Sequence, residues 1–118
     1  TGIERRRTLA ILKHIGIQNY FKTIVCSDDV KEAKPNSESL IKCVEKMQGK
    51  LENTIMIGDS INDVLCAKNA GVYAIGVTWG DTGTEEIQKV CPDFIAESVD
   101  MLWNEIERAP KGEIKCLV

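Results

Sequence analysis

A cluster of hard oxygen donors stands at Gly58-Asp59-Ser60-Ile61-Asn62-Asp63, directly after the apolar run Thr54-Ile55-Met56-Ile57. Read as a strand followed by a helix, this stretch puts Asp59 at the carboxyl end of a strand. Asp63 then lies one helical turn further on. Two carboxylates so placed can face a common cation such as Mg2+, which prefers oxygen ligands and keeps several waters. The helix start adds free N–H groups and the positive end of its dipole, both suited to an anion. Cation, amides and carboxylates together suit a phosphate ester. A plainer role exists for one of the pair. Ser60-x-x-Asp63 has the form of a capping box, in which Asp63 only satisfies a backbone N–H. Asp59 has no such capping duty.

A cation stands nearby in sequence. In Ala33-Lys34-Pro35, the proline holds Lys34 extended and suits the first turn of a helix. The ammonium is thereby kept near the loop after the apolar run Thr23-Ile24-Val25-Cys26, where a fixed positive charge can neutralise a phosphoryl group. The ordinary alternative is a solvated lysine.

The elements that must position these groups follow from the period of the apolar residues. Helices are predicted over Ile3–Ile15, Pro35–Met47, Ser60–Ala70, Thr84–Val90 and Val99–Ile106. In the first, Leu9, Leu12 and Ile15 share a face and Arg5, Arg6 and Arg7 are solvated. Gly16, Gly49 and Gly71 stand where helices end. Strands are predicted over Thr23–Cys26, Thr54–Ile57, Tyr73–Val77 and Phe94–Ile95. Short apolar strands alternating with amphipathic helices imply an α/β fold, a Rossmann-like parallel sheet flanked by helices. Chemistry in such sheets sits beyond the carboxyl ends of the strands, here the loops after Cys26, Ile57 and Val77.

Composition bounds the partners. The chain has 118 residues, with 15 Lys plus Arg against 18 Asp plus Glu and a net charge of −3. One domain, 1–118, is expected, and the acidic balance argues against nucleic acid. Aromatic residues make up only 5% of the chain, too few for base-stacking platforms. No apolar run reaches the length of a membrane span, and the start lacks the apolar core of a signal peptide. The five cysteines, Cys26, Cys43, Cys66, Cys91 and Cys116, form no CxxC pair. They are expected to pack as small hydrophobes in a cytoplasmic protein. Cys116 stands third from the end of the sequence, so no prenylation box is expected.

Taken in order, Lys34-Pro35, then Gly58-Asp59-Ser60-x-Asn62-Asp63, then Ala67-x-x-Ala70-Gly71 resemble the third and fourth motifs of the haloacid dehalogenase-like hydrolases. The phosphoglycolate phosphatase and β-phosphoglucomutase branch is the nearest. Gly16-Ile17 with Tyr20-Phe21, Asp28-Asp29-Val30, Gly76-Val77-Thr78-Trp79-Gly80 and Pro92-Asp93-Phe94-Ile95 also fit, so the resemblance runs from Thr1 to about Leu102. It implies Mg2+-dependent hydrolysis of a small phosphorylated metabolite through an aspartyl-phosphate intermediate. By the same match Asp59 would ligate Mg2+, with Asp63 and Asn62 beside it. Lys34 would hold the phosphoryl charge, and Thr1 would be the hydroxyl that donates to phosphate. Ser37 departs from the branch, which often has proline there.

The family's first motif, Asp-x-Asp-x-Thr, precedes the position matched by Thr1. The resemblance therefore implies the C-terminal half of a catalytic core, lacking the N-terminal strand, the cap domain and the nucleophile, and inactive alone. An upstream half, a rearranged sheet or a second copy is expected to fill the gap that the absent strand leaves. Two alternatives use the same residues. Asp28-Asp29 followed by Asp59 resembles a receiver domain's phosphoacceptor site, though this leaves Gly-Asp-Ser-x-Asn-Asp unexplained. A non-catalytic module that binds a phospho-ligand is the other. Asp81-Thr82-Gly83 copies the aspartic protease triplet, but helix signals flank it, and Thr82-x-x-Glu85 reads as a capping box. His14 is expected late in a helix, favourably placed in the dipole. Trp79, near the loop after Val77, is expected either to border a substrate or to pack under that loop, and Met101, Leu102 and Trp103 are expected to cover the core.

Overall fold

Small and apolar residues alternate along three short runs and bring them together. Ile55–Gly58 (β1), Tyr73–Val77 (β2) and Phe94–Ala96 (β3) form a parallel sheet in the order β1-β2-β3 in the computed structural model, which describes residues 1–109. The register pairs Ile57 with Ile75, Gly58 with Gly76, and Val77 with Ala96. Because side chains alternate across a strand, the sheet has two apolar faces. On one, Met56 and Ala74 pack with Leu40, Val44, Val64, Cys66, Ala67 and Val72. On the other, Ile55, Ile75, Val77 and Ala96 pack with Ile106 and Ala109.

Five helices accompany the sheet: α1 (Arg5–His14), α2 (Glu38–Lys46), α3 (Ile61–Ala70), α4 (Thr84–Lys89) and α5 (Val99–Arg108). α2 and α3 cover the first face, and α5 the second. Each parallel connection carries a helix, as such crossovers require. The α/β, Rossmann-like class expected from the sequence is the observed one. Gly16 and Gly71 close α1 and α3 in left-handed conformations, at φ +74° and +68°. His14 lies in the last turn of α1, as expected. Among the described residues, no helix is long and apolar enough to cross a membrane.

Several expectations are corrected. Thr23–Cys26 is extended but belongs to no sheet. Its backbone is held instead by the Thr1 nitrogen, which donates to the Val25 carbonyl at 2.7 Å, and by the Arg5 guanidinium, which donates to the Ile24 carbonyl at 2.9 Å. Among the described residues no strand lies on the free side of β1, so an apolar run with strand propensity has no ladder to join.

The second helix starts at Glu38, not Pro35, because the Asn36 carboxamide accepts from Glu38 N–H at 2.9 Å and ends the turn there. Gly83, not Thr82, caps α4, without a side-chain bond. Arg5 is not simply solvated, since it clamps Asp29. Met101 and Trp103 point outward, 39% and 61% exposed, leaving Leu102 to cover the core. Cys26, Cys43 and Cys66 are buried as expected, Cys91 is exposed, and Cys116 lies outside the described residues with the rest of the chain end. On α1 only Thr8 is buried, and Ile15 of the predicted apolar face is exposed. A groove of about 250 Å³ runs beside it, lined by Ile3, Ile11, Leu12, Phe21 and Ile24 among others.

Candidate functional site

β1 ends at Gly58, and α3 begins three residues later, with only Asp59 and Ser60 between. Such a tight turn needs glycine: a Cβ at position 58 would stand 2.1 Å from the Asp63 Cβ. Ser60 caps α3 in an extended conformation, φ −124° and ψ 156°, its hydroxyl accepting from Asp63 N–H at 3.2 Å. Asp63 returns the contact. Its Oδ2 accepts from Ser60 N–H at 3.2 Å and from the Ser60 hydroxyl at 2.8 Å. The predicted capping box is therefore present.

Asp63 does more than cap. Its Oδ1 accepts from the Lys34 ammonium at 2.5 Å, and both side chains are largely withdrawn from solvent, 19% exposed for Lys34 and 10% for Asp63. A partly buried, charge-assisted pair of this kind is short and fixes both partners. Lys34 is held from the other side through its turn. The Asn69 carboxamide donates to the Pro35 carbonyl at 2.9 Å, and the buried Cys66 thiol donates to the Asn36 carbonyl at 3.3 Å. The Lys34–Pro35 peptide is cis. Burial pushes the Cys66 thiol pKa up, so it stays protonated and keeps donating.

Asp59 is half-buried and lies beside this pair in the chain without bonding to it. Its Oδ2 accepts from Asp81 N–H at 3.3 Å, while Oδ1 carries no hydrogen bond among the described residues. A carboxylate at a strand's carboxyl end with one oxygen open is a donor in search of a cation. Asp63, by contrast, has three of its roughly four lone-pair directions occupied by Lys34 and Ser60.

Thr1 comes into the same neighbourhood. Its main-chain nitrogen is half-buried and lies near enough to Lys34 and Asp63 to feel both charges. Its hydroxyl accepts from Ile3 N–H at 3.3 Å. Asn62 sits in the first turn of α3 but is exposed and makes no hydrogen bond. The structure thus gathers Lys34, Asp63 and Thr1, sets Asp59 at the strand end, and leaves Asn62 at the rim.

Sequence reasoning read Cys66 as a packed cysteine and Asp81 as part of a protease-like triplet, and gave neither of them, nor Asn69, a role at this site. Cys66 and Asn69 lie on the face of α3 toward the Lys34 turn, and that helical register was the available signal. Cys26, Asp28 and Asp29 form a second acidic group, with ligand atoms within 4.8 Å of one another. Asp29 is already matched there: Arg5 and then Cys26 N–H pull its pKa down to about 2. Asp28 and Asp29 thus serve their loop and a helix start, since Asp28 accepts from Arg5 N–H at the start of α1 and Asp29 from Cys26 N–H.

Comparison with known proteins adds an independent line. A family model described as haloacid dehalogenase-like hydrolase matches residues 1–77. A phosphoglycolate phosphatase of Vibrio parahaemolyticus is 42% identical over 92 residues, covering 78% of this chain and 40% of the relative. The pyrophosphatase PpaX of Anoxybacillus flavithermus is 37% identical over 91 residues, covering 77% of this chain and 42% of its own length. Among solved structures, a haloacid dehalogenase-like hydrolase from Bacteroides fragilis superposes with a TM-score of 0.80 at 31% identity, covering 86% of this chain and 49% of that one. A β-phosphoglucomutase from Thermotoga maritima reaches the same TM-score of 0.80 at 23% identity, which speaks to the fold alone. The chain spans half the length or less of each of these proteins.

Proposed function

The chain belongs to the haloacid dehalogenase-like hydrolase family, and from that premise we propose that it is the C-terminal part of the catalytic core of a phosphatase for a small phosphorylated metabolite. The observation that carries this reading is the Lys34–Asp63 pair, held beside the open carboxylate of Asp59 where β1 passes into α3. An immobilised ammonium, partly stripped of water, lowers the cost of gathering negative charge on a phosphoryl group. Asp63 aims that ammonium and fixes the helix start whose N–H groups face the same space. The names of the two curated relatives, both phosphatases of phosphorylated small molecules, support the substrate class.

The donor set fits Mg2+. Asp59 offers a hard, open oxygen and Asp63 one remaining direction on Oδ1, both of them the carboxylate donors that Mg2+ takes. Asp59 and Asp63 would hold the ion, and Asn62 is near enough in sequence to meet a bound water or the substrate. When bound, Mg2+ would shield the phosphoryl oxygens from the carboxylates around them. In this reading the Thr1 hydroxyl donates to phosphate. The reaction passes through an aspartyl phosphate whose nucleophile is contributed by residues other than these 118. This chain by itself is then expected to be inactive and the working protein to be cytoplasmic.

Phosphate release tests the reading. The chain is joined to the upstream portion of its Vibrio parahaemolyticus relative and supplied with Mg2+ and phosphoglycolate. The Lys34→Ala variant is expected to lose about 100-fold or more in kcat with the folded state retained. An unchanged rate would remove Lys34 from the site. Stable labelling of Asp59 itself by acetyl phosphate would instead favour a receiver.

A further inference from the structure

Asp59 owes its orientation to a loop on the neighbouring strand. β2 is in register with β1, so the segment after Val77 emerges beside the segment after Gly58. There it packs against the Asp59 side chain. A Cβ built at Gly80 would stand 2.1 Å from Asp59 Oδ2, 2.3 Å from its Cβ and 2.5 Å from its Cγ. Contact with the Asp59 Cβ matters most, because that atom cannot swing away without moving the backbone. Next in line, Asp81 N–H donates to the same Oδ2.

Resting on the functional reading above, we infer that the Trp79-Gly80-Asp81 loop is a positioning clamp for the metal-binding carboxylate of Asp59. Gly80 supplies the flat backbone surface that sets the side chain's rotamer, and the Asp81 amide occupies Oδ2. Oδ1 is left as the oxygen presented to the cation. Groups that orient a ligand in this way bear on metal affinity almost as directly as the ligand itself. They bear hardest on Mg2+, whose coordination demands near-ideal angles, and much less on Ca2+, which accepts irregular ones.

Amide NMR titration of the labelled chain with Mg2+ and with Ca2+ separates the possibilities without any turnover. Gly80→Ala is expected to raise the Mg2+ Kd about tenfold or more, as loss of an orienting partner does. Its Ca2+ Kd should stay within about threefold, since that ion tolerates displaced ligands. Gly83→Ala is the control in the same loop. Its φ is −69° and nothing lies within 4 Å of its added Cβ, so it should bind both ions like the parent. A folded Gly80→Ala chain with parental Mg2+ affinity, alongside an Asp59→Asn chain that has lost it, would overturn the clamp and spare the metal site. Parental affinity in Asp59→Asn would overturn the site reading itself. Should Gly80→Ala not fold, Mn2+ added to the parent decides. Broadening of the Asp81 amide together with Asp59 supports the clamp, and an Asp81 amide left sharp contradicts it.

Discussion

At the scale of single residues, two carboxylates four positions apart have divided the work. Asp63 has three of its roughly four lone-pair directions taken by Lys34 and Ser60 and mainly keeps structure, while Asp59 keeps a fully open oxygen. The same contrast separates the site from the acidic group near α1, where Arg5 has claimed Asp29. The Asp29 pKa stands near 2 in the folded chain, against an ordinary 3.8. A carboxylate lowered in this way contributes stability above its unfolded pKa and loses it as pH falls from the ordinary value toward 2. Asp29→Asn should therefore flatten the acid limb of urea stability between about pH 5 and pH 2. An acid limb of unchanged steepness would mean that other carboxylates carry the dependence. Solvent reaches this pair, with Arg5 37% and Asp29 20% exposed, so the contribution is modest.

At the scale of elements, the helix ends decide how firmly the site is framed. Ser60 caps α3 at the site, and Ser98 caps α5 on the far face, its hydroxyl accepting from Met101 N–H at 3.2 Å. Ser98→Ala should cost about 1 kcal/mol in thermal or urea unfolding. Because α5 does not touch Asp59 or Lys34, ion binding should be untouched; a loss of Mg2+ binding would couple the two faces unexpectedly. Elements are also where the sequence was most legible. β2 spans Tyr73–Val77 as its apolar run predicts, α3 runs from its capping serine to its closing glycine, and β3 is one residue longer than expected. The run Thr23–Cys26 misled for a physical reason. Its residues favour a strand, but a strand also needs a neighbour, and local composition carries no information about that. Capping of α4 by Thr82 failed similarly, since the spacing allows a box that the backbone at Gly83 does not use.

At the scale of the whole molecule, the three-stranded sheet has two edges. β2 lies between two neighbours, with apolar residues on both faces, whereas β1 and β3 each have a strand on one side only among the described residues. α1, with Ile11 and Ile15 about half exposed, and Thr23–Cys26 join no strand. The apolar stripe of α1 was readable in the sequence, but its degree of burial was not, because burial depends on what packs against it. The candidate site was legible in its motif residues, Lys34, Asp59 and Asp63. The partners that orient them come from turns and strands distant in sequence, and only the fold brings Asn69 to Pro35 or Asp81 to Asp59. With this chain spanning 40% of its Vibrio parahaemolyticus relative, activity is a property to be sought in the completed core. The most direct measurement is Mg2+-dependent phosphate release by that completed core, parent against Asp59→Asn, at a temperature where both are folded. A fall of about 100-fold or more is expected if residue 59 holds the ion that shields the phosphoryl group. Equal rates in the two proteins, with equal dependence on Mg2+, would contradict it.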